Sequence, residues 1–478
     1  MRKYLAQFVL IVFITLVSLP AFAQAKTSGK PDAGRPAAAA QPASAEAALP
    51  KPKFNISRFK GPIGKRYVLP DGMILLVKEE RSLPMVTISM IIRAGAVDEP
   101  YKKAGLAHLT AALLTKGAAG MSAMDISGKI DFMGASLGVG GSADYAVAHL
   151  TVLKKDLGAG FSLFSKVLIK PTFAQSEINR MKKDVKAGIL REEQSPSYVA
   201  QKAYQKMVFG GKSPYGRPVE GTAASLDAIT RDDIVSFHKE FYVPNNCIMA
   251  VVGDISPAEA KGLVAKYMAS WKRKKAPKPS IPAPPKMALR RKYINRDVTQ
   301  ATILMGHVGV ARDNPDYYKL YVMNYILGGG GFVSRILNTI RDNMGLAYDA
   351  YSYFDAHKYS GAYTVGMQTK NDTAKKAMEE TLKIIKNMKT APVTDKEISD
   401  AKDFIYGSFA RRMDTDSKMA DLLAQVEFYR LGLNYFEVYY NGIHNVTKKD
   451  VLDVAKKYLH PGKMDIVVVG NLKAAGLK

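Results

Sequence analysis

A long internal repeat restricts what this chain can fold into more than any other feature. Late in the first half run Arg231-Asp232-Asp233-Ile234, Lys239-Glu240-Phe241-Tyr242-Val243-Pro244 and Ala250-Val251-Val252-Gly253-Asp254. Late in the second run Lys448-Lys449-Asp450-Val451, Lys456-Lys457-Tyr458-Leu459-His460-Pro461 and Val467-Val468-Val469-Gly470-Asn471. The two align without a gap, roughly 217 residues apart, far beyond the period of a solenoid. Each reads as an amphipathic helix, a Pro-marked turn and a hydrophobic strand closed by Gly. Earlier, Thr87-Ile88-Ser89-Met90 matches Thr302-Ile303-Leu304-Met305, each inside a strand-like run. Pro171 to Ile178 parallels Pro392 to Ile398, and both read as the start of a long helix. Several matches in one order mean two copies of one plan.

The chain has 478 residues, 47% of them hydrophobic, enough for two or three domains with their own cores. Between the copies, Lys272 to Pro285 carries five prolines and a run of basic residues. It reads as an extended connector, because proline suits neither helix interior nor central strand. In Val68-Leu69-Pro70-Asp71-Gly72-Met73-Ile74 the Asp-Gly step predicts a tight hairpin. The expected fold class is α+β: two homologous domains, each a mainly antiparallel sheet covered by helices, with strands alternating as for a sheet covered on one side. The expected layout is a signal peptide over 1–23, a flexible Ala/Pro-rich arm over 24–53, domains over 54–272 and 288–478, and the linker over 273–287.

At the N-terminus Arg2 and Lys3 precede an apolar run from Phe8 to Leu19, and Ala21-Phe22-Ala23 offers a small-residue cleavage site. These flanks fit a signal peptide better than a retained membrane helix, so a periplasmic or secreted mature chain is expected. Residues 26–53 hold few large apolar side chains and cannot offset their ordering entropy. Cys247 is the single cysteine, so no intrachain disulfide forms, and its strand-like surroundings suit a buried inert thiol. The net charge of +26 favours acidic partners. No basic-aromatic recognition module is visible, so nucleic acid is not expected, while weak contact with a membrane surface is compatible with the charge.

Gly105-Leu106-Ala107-His108-Leu109-Thr110 sits on a predicted helix after a strand. This segment resembles the place where the pitrilysin/insulinase (processing-peptidase-like) family carries its zinc motif, His-x-x-Glu-His. In that motif two His one turn apart bind the metal, the Glu polarises the attacking water, and a Glu on a later helix completes the ligands. Here His108 stands alone: Ala111 and Ala112 occupy the Glu and second His positions, and Ala187 with Gly188 stands where the later Glu belongs. Zinc needs about three protein ligands, so the expectation is no metal in this chain, with His108 an ordinary helix histidine.

The second half departs less. Leu327-Gly328-Gly329-Gly330-Gly331-Phe332-Val333-Ser334-Arg335-Ile336, followed by Ile340-Arg341 through Gly345-Leu346-Ala347-Tyr348, resembles the family's second-domain phrase. From spacing alone, Arg341 reads as a surface helix residue, Tyr348 as a half-buried strand residue and Gly328 to Gly331 as a loop. The resemblance implies instead that Arg341 and Tyr348 bind the substrate backbone and steady an oxyanion, with Gly328, Gly329, Gly330 and Gly331 beside the substrate. It further implies a heterodimer in which a zinc-bearing homologue supplies metal and base, the pair acts in trans, and this chain is inactive alone. A catalytically inert core-protein-like subunit of an envelope complex and a peptide-holding module are the alternatives, and homodimers and heterodimers both remain open.

Overall fold

A computed structural model describes residues 61–477; the expected signal peptide and arm lie outside them. The first sheet begins at the expected hairpin. Strands β1 (Lys65–Val68) and β2 (Ile74–Glu79) pair antiparallel with Val68 opposite Ile74, and Gly72 takes the turn's left-handed φ of +87°. Then follow β3 (Met85–Ile92), a two-residue hairpin of β4 (Gly117–Ala118) and β5 (Met121–Ser122), β6 (Ser136–Gly141), β7 (Ala146–Leu153) and β8 (Cys247–Gly253). The second sheet is built from β9 (Arg290–Asn295), β10 (Gln300–Val308), β11 (Ala347–Ala356), β12 (Gly361–Lys370) and β13 (Asp465–Gly470).

The strand orders are β1-β2-β8-β3-β7-β6 and β11-β12-β10-β13-β9. Read from opposite ends they are one order, with β1 added to the first. In both sheets one pair is parallel (β2 with β8, β9 with β13) and the remaining pairs antiparallel. The register repeats too: Thr87 faces Val252 in the first sheet, and Thr302 faces Val469 in the second. These are the residues that the sequence repeat equates. The helices before β8 and β13, Arg231–Phe241 and Lys448–Tyr458, open on the same capping box, Thr230 with Asp233 and Thr447 with Asp450. The chain thus consists of two homologous α+β domains.

The expected one-sided cover is corrected for the central strands. β8 is buried at all seven positions, and β3 and β10 nearly so. In β8, Met249 and Val251 face the first half's own helices, whereas Ile248, Ala250 and Val252 join the core of the second half. The cause is an exchange. Helix Asp416–Phe428 of the second half packs on β3 and β8, and helix Pro196–Phe209 of the first half packs on β10 and β13. Within the latter, the buried Tyr204 hydroxyl donates to the Tyr363 carbonyl at 2.7 Å. Residues 61–477 accordingly belong to one compact unit. Cys247 is buried, with Sγ 3.2 Å from the Val243 carbonyl oxygen, and burial pushes its thiol pKa up.

Candidate functional site

His108 lies on helix Leu106–Leu113, whose start is fixed by the preceding acid. The Glu99 carboxylate accepts from the Gly105 and Ala107 amides at 3.0 and 2.9 Å and pairs with Arg217 at 3.3 Å. An anion at a helix N-terminus satisfies amides that have no partner within the helix. The His108 backbone runs close against edge strand β6 at Gly141. Burial lowers the imidazole's pKa, opposed by the nearby charge of Glu220, which itself accepts from the Tyr198 hydroxyl at 3.0 Å.

The scaffold for a metal site is present without its donors. Ala111 is fully buried beneath the helix, Ala112 is half-buried, and helix Gln175–Glu192, which bears Ala187, lies alongside. Methyl groups donate nothing to zinc, and one imidazole falls short of a ligand set. Among the described residues no three His, Cys, Asp or Glu side chains gather as a metal would need. The residues present do not fit the zinc that the motif implies.

In the second half the Gly-rich phrase forms wide π-helical turns, Tyr325–Gly329 and Asn338–Asn343, around a short helical segment at Arg335–Leu337. Such turns concentrate at functional sites. Gly328 is buried, and a Cβ there would come within 2.4 Å of Ser352 Oγ on β11. The absent side chain admits the strand. Asn324 and Ser352 then hold the two together through two hydrogen bonds of 2.8 Å. Gly329 and Gly331 are exposed and Gly330 half-buried. The four glycines therefore have different surroundings, and Gly328 is engaged in packing.

Arg335 and Arg341, six positions apart, have separate duties. The Arg335 guanidinium makes a two-pronged bond to Glu397, at 2.6 and 2.9 Å, and Glu397 also caps helix Asp395–Phe409 through Thr394. The Arg335 hydrogen bond, reinforced by the Thr394 amide against partial burial, holds the Glu397 carboxyl down at about 2. This pair fastens the Gly-rich segment to the domain.

Arg341 instead faces outward. Its guanidinium carbon lies 4.7 Å from the ring centre of Tyr348 and 4.7 Å from that of Phe332. Tyr348 is 76% exposed because of a bulge: Ala347 opposes Thr369, Asp349 opposes Gln368, and Tyr348 between them has no partner on β12. A bulged residue re-aims its side chain out of the ladder, and β11 is an edge strand. A guanidinium laid against rings can still donate its in-plane N–H groups to an acceptor; here Nε also lies 3.9 Å from the Asp342 carboxylate. The structure thus brings Arg341 and Tyr348 together at an exposed edge and adds Phe332, 56% exposed, which sequence reasoning passed over. The signal was available, an aromatic residue among glycines where a loop has no need of one.

Comparison with known proteins agrees with this architecture. Residues 75–223 match the model of the insulinase family (peptidase family M16), and residues 228–404 match that of the peptidase M16 inactive domain. The chain belongs to the M16 (insulinase) family. A "non-peptidase homolog YmxG" of Helicobacter pylori is 25% identical over 401 residues, covering 84% of this chain and 92% of that one. An "uncharacterized zinc protease YmxG" of Bacillus subtilis is 26% identical over 358 residues, covering 74% and 86%. Among solved structures, a peptidase M16 inactive domain from Pseudomonas fluorescens superposes with a TM-score of 0.80 at 29% identity, covering 85% of this chain and 98% of that one. A Helicobacter pylori protease at 19% identity, also with a TM-score of 0.80, shares the fold. The chain thus shares its family and fold with proteins named both as zinc proteases and as a non-peptidase homolog.

Proposed function

We propose that this chain is the non-zinc subunit of a heterodimeric metallopeptidase acting in the periplasm or outside the cell. A homologous subunit with an intact zinc motif supplies metal, water and base. The present chain supplies Arg341 and Tyr348 in trans, donating hydrogen bonds to the backbone of an extended peptide and to the oxyanion that forms on its scissile carbonyl. The observation that carries this reading is the contrast between the halves: the metal position retains one imidazole, while a half-buried Arg341 guanidinium lies against Tyr348, a phenol left exposed by a bulge. An inert scaffold gains little from a pair built in this way. The expected apolar run and cleavage site at the N-terminus support export.

The name of the Helicobacter pylori relative favours a second reading, an inert structural or peptide-holding subunit. Co-purification with a zinc-bearing homologue, followed by peptide cleavage assays, separates the two. The isolated chain should hold far less than one zinc and cleave nothing. In the assembled pair, R341A and Y348F should each lower kcat/KM by roughly a hundredfold, the scale of one lost oxyanion donor, with assembly intact. Unchanged turnover in both variants would leave the scaffold reading standing. Stoichiometric zinc and unaided cleavage by the isolated chain would remove both readings.

A further inference from the structure

From Lys272 to Arg296 the chain holds ten basic residues and no acidic one. These residues form the connector and edge strand β9, the strap that joins the two sheets. A few of its small and apolar side chains anchor it to the body of the molecule. Trp271 is buried and donates to the Tyr242 carbonyl at 2.8 Å, Ala276 packs on the first core, Ile281 packs beside helix Pro196–Phe209, and Pro285 lies over Gly210. Asn245 grips the backbone of Lys274 through two hydrogen bonds of 2.9 and 3.0 Å. At the far end Arg290 is neutralised by Asp465 at 2.6 and 2.7 Å and donates to the Met207 carbonyl at 2.6 Å. The other nine basic residues are exposed, and none has an ion pair among the described residues.

Elsewhere lysines without an ion pair among the described residues, such as Lys183, Lys375, Lys376 and Lys456, are interspersed with ones that face carboxylates, as Lys154, Lys202, Lys319 and Lys457 do; the strap differs in having ten basic residues and no acidic one in a single run. An uncompensated row of cations held in place by inward packing costs self-repulsion, which an anionic surface relieves. Charge on β9 also guards a sheet edge against pairing with other chains, but the connector belongs to no sheet. Met287 and Leu289, 39% and 43% exposed, stand in the same row. Single-strand nucleic-acid sites interleave their cations with aromatic rings, and the connector exposes none. Cations flanking exposed aliphatic side chains match anionic headgroups over an acyl boundary. Among the described residues no helix is long and apolar enough to cross a membrane, so the contact is peripheral.

We infer that the strap from Lys272 to Arg296 is a docking rail for an anionic phospholipid surface, setting the molecule on the membrane by the face that joins its two sheets. The test uses the full chain with vesicles of phosphatidylcholine alone and with about one third phosphatidylglycerol, comparing each variant with the parent so that the shared N-terminus cancels. K272Q, R273Q, K274Q and K275Q together should lower affinity for anionic vesicles by several hundredfold, and either adjacent pair alone by about thirtyfold, with unchanged melting temperature. A control of equal charge loss elsewhere (K183Q, K375Q, K376Q and K456Q) should keep most of the affinity. M287S with L289S should lower it several-fold. Equal losses in control and connector variants overturn the inference, as does full affinity in the connector variant. Full vesicle affinity in the M287S/L289S variant, together with direct binding to polyglutamate that is tighter than to anionic vesicles and lost in the connector variant, assigns the rail to an acidic protein and likewise overturns it.

Discussion

Two arginines six positions apart show how far residue type alone underdetermines role. Arg341 contributes stacking with exposed rings, about 0.5–1 kcal/mol at such a site. R341A and Y348F should therefore each change unfolding free energy by less than about 1 kcal/mol, whatever they do to turnover. Urea denaturation checks this. Arg335 should behave oppositely, with R335A costing roughly 2 kcal/mol, because Glu397 loses its two-pronged partner. Its pH signature follows from linkage. Glu397 has its folded pKa depressed from 4.5 to about 2, so its contribution is complete above about pH 4.5 and disappears as pH falls towards 2. The stability gap between the parent chain and R335A should hold from pH 7 to 5 and shrink by pH 3. A gap independent of pH would mean that the bond contributes through packing alone.

Among elements, the Gly-rich turns carry the clearest expectation. G328A places a methyl group within 2.4 Å of Ser352, so β11 must shift; a cost of about 3 kcal/mol is expected, with a loss of Tyr348 alignment. G331A meets nothing within 4 Å and strains only a φ of +59°, for about 1 kcal/mol. Thermal melts of the two variants, with tyrosine and phenylalanine signals of the exposed edge read by NMR, test both. Much at this scale was legible. The Asp71-Gly72 hairpin, the paired amphipathic helices beginning at Arg231 and Lys448, and the strands of the repeat follow from local chemistry that a sequence displays. The bulge at Tyr348 was not, since its cause lies in the register with β12 rather than in neighbouring residues. The cover on both faces of β8 was half-legible. An unbroken apolar run such as Cys247 to Val252 is what a strand buried on both sides looks like, but the covering helix lies more than 160 residues away in sequence, where no local pattern points to it.

For the molecule as a whole, the exchanged helices decide how it unfolds. A fragment of residues 54–272 would leave bare the sheet face that helix Asp416–Phe428 covers, and would strand helix Pro196–Phe209 without its sheet. It should bind a hydrophobic dye and lack near-UV dichroism, while the entire chain unfolds in one transition seen alike by fluorescence and far-UV dichroism. An independently folded fragment would show that the exchange is decorative. Two domains that each hold a piece of the other cannot swing about a hinge without exposing both cores. In the proposed pairing with a homologous subunit, opening and shutting around a peptide would then fall between the two subunits, with this chain acting as one rigid jaw.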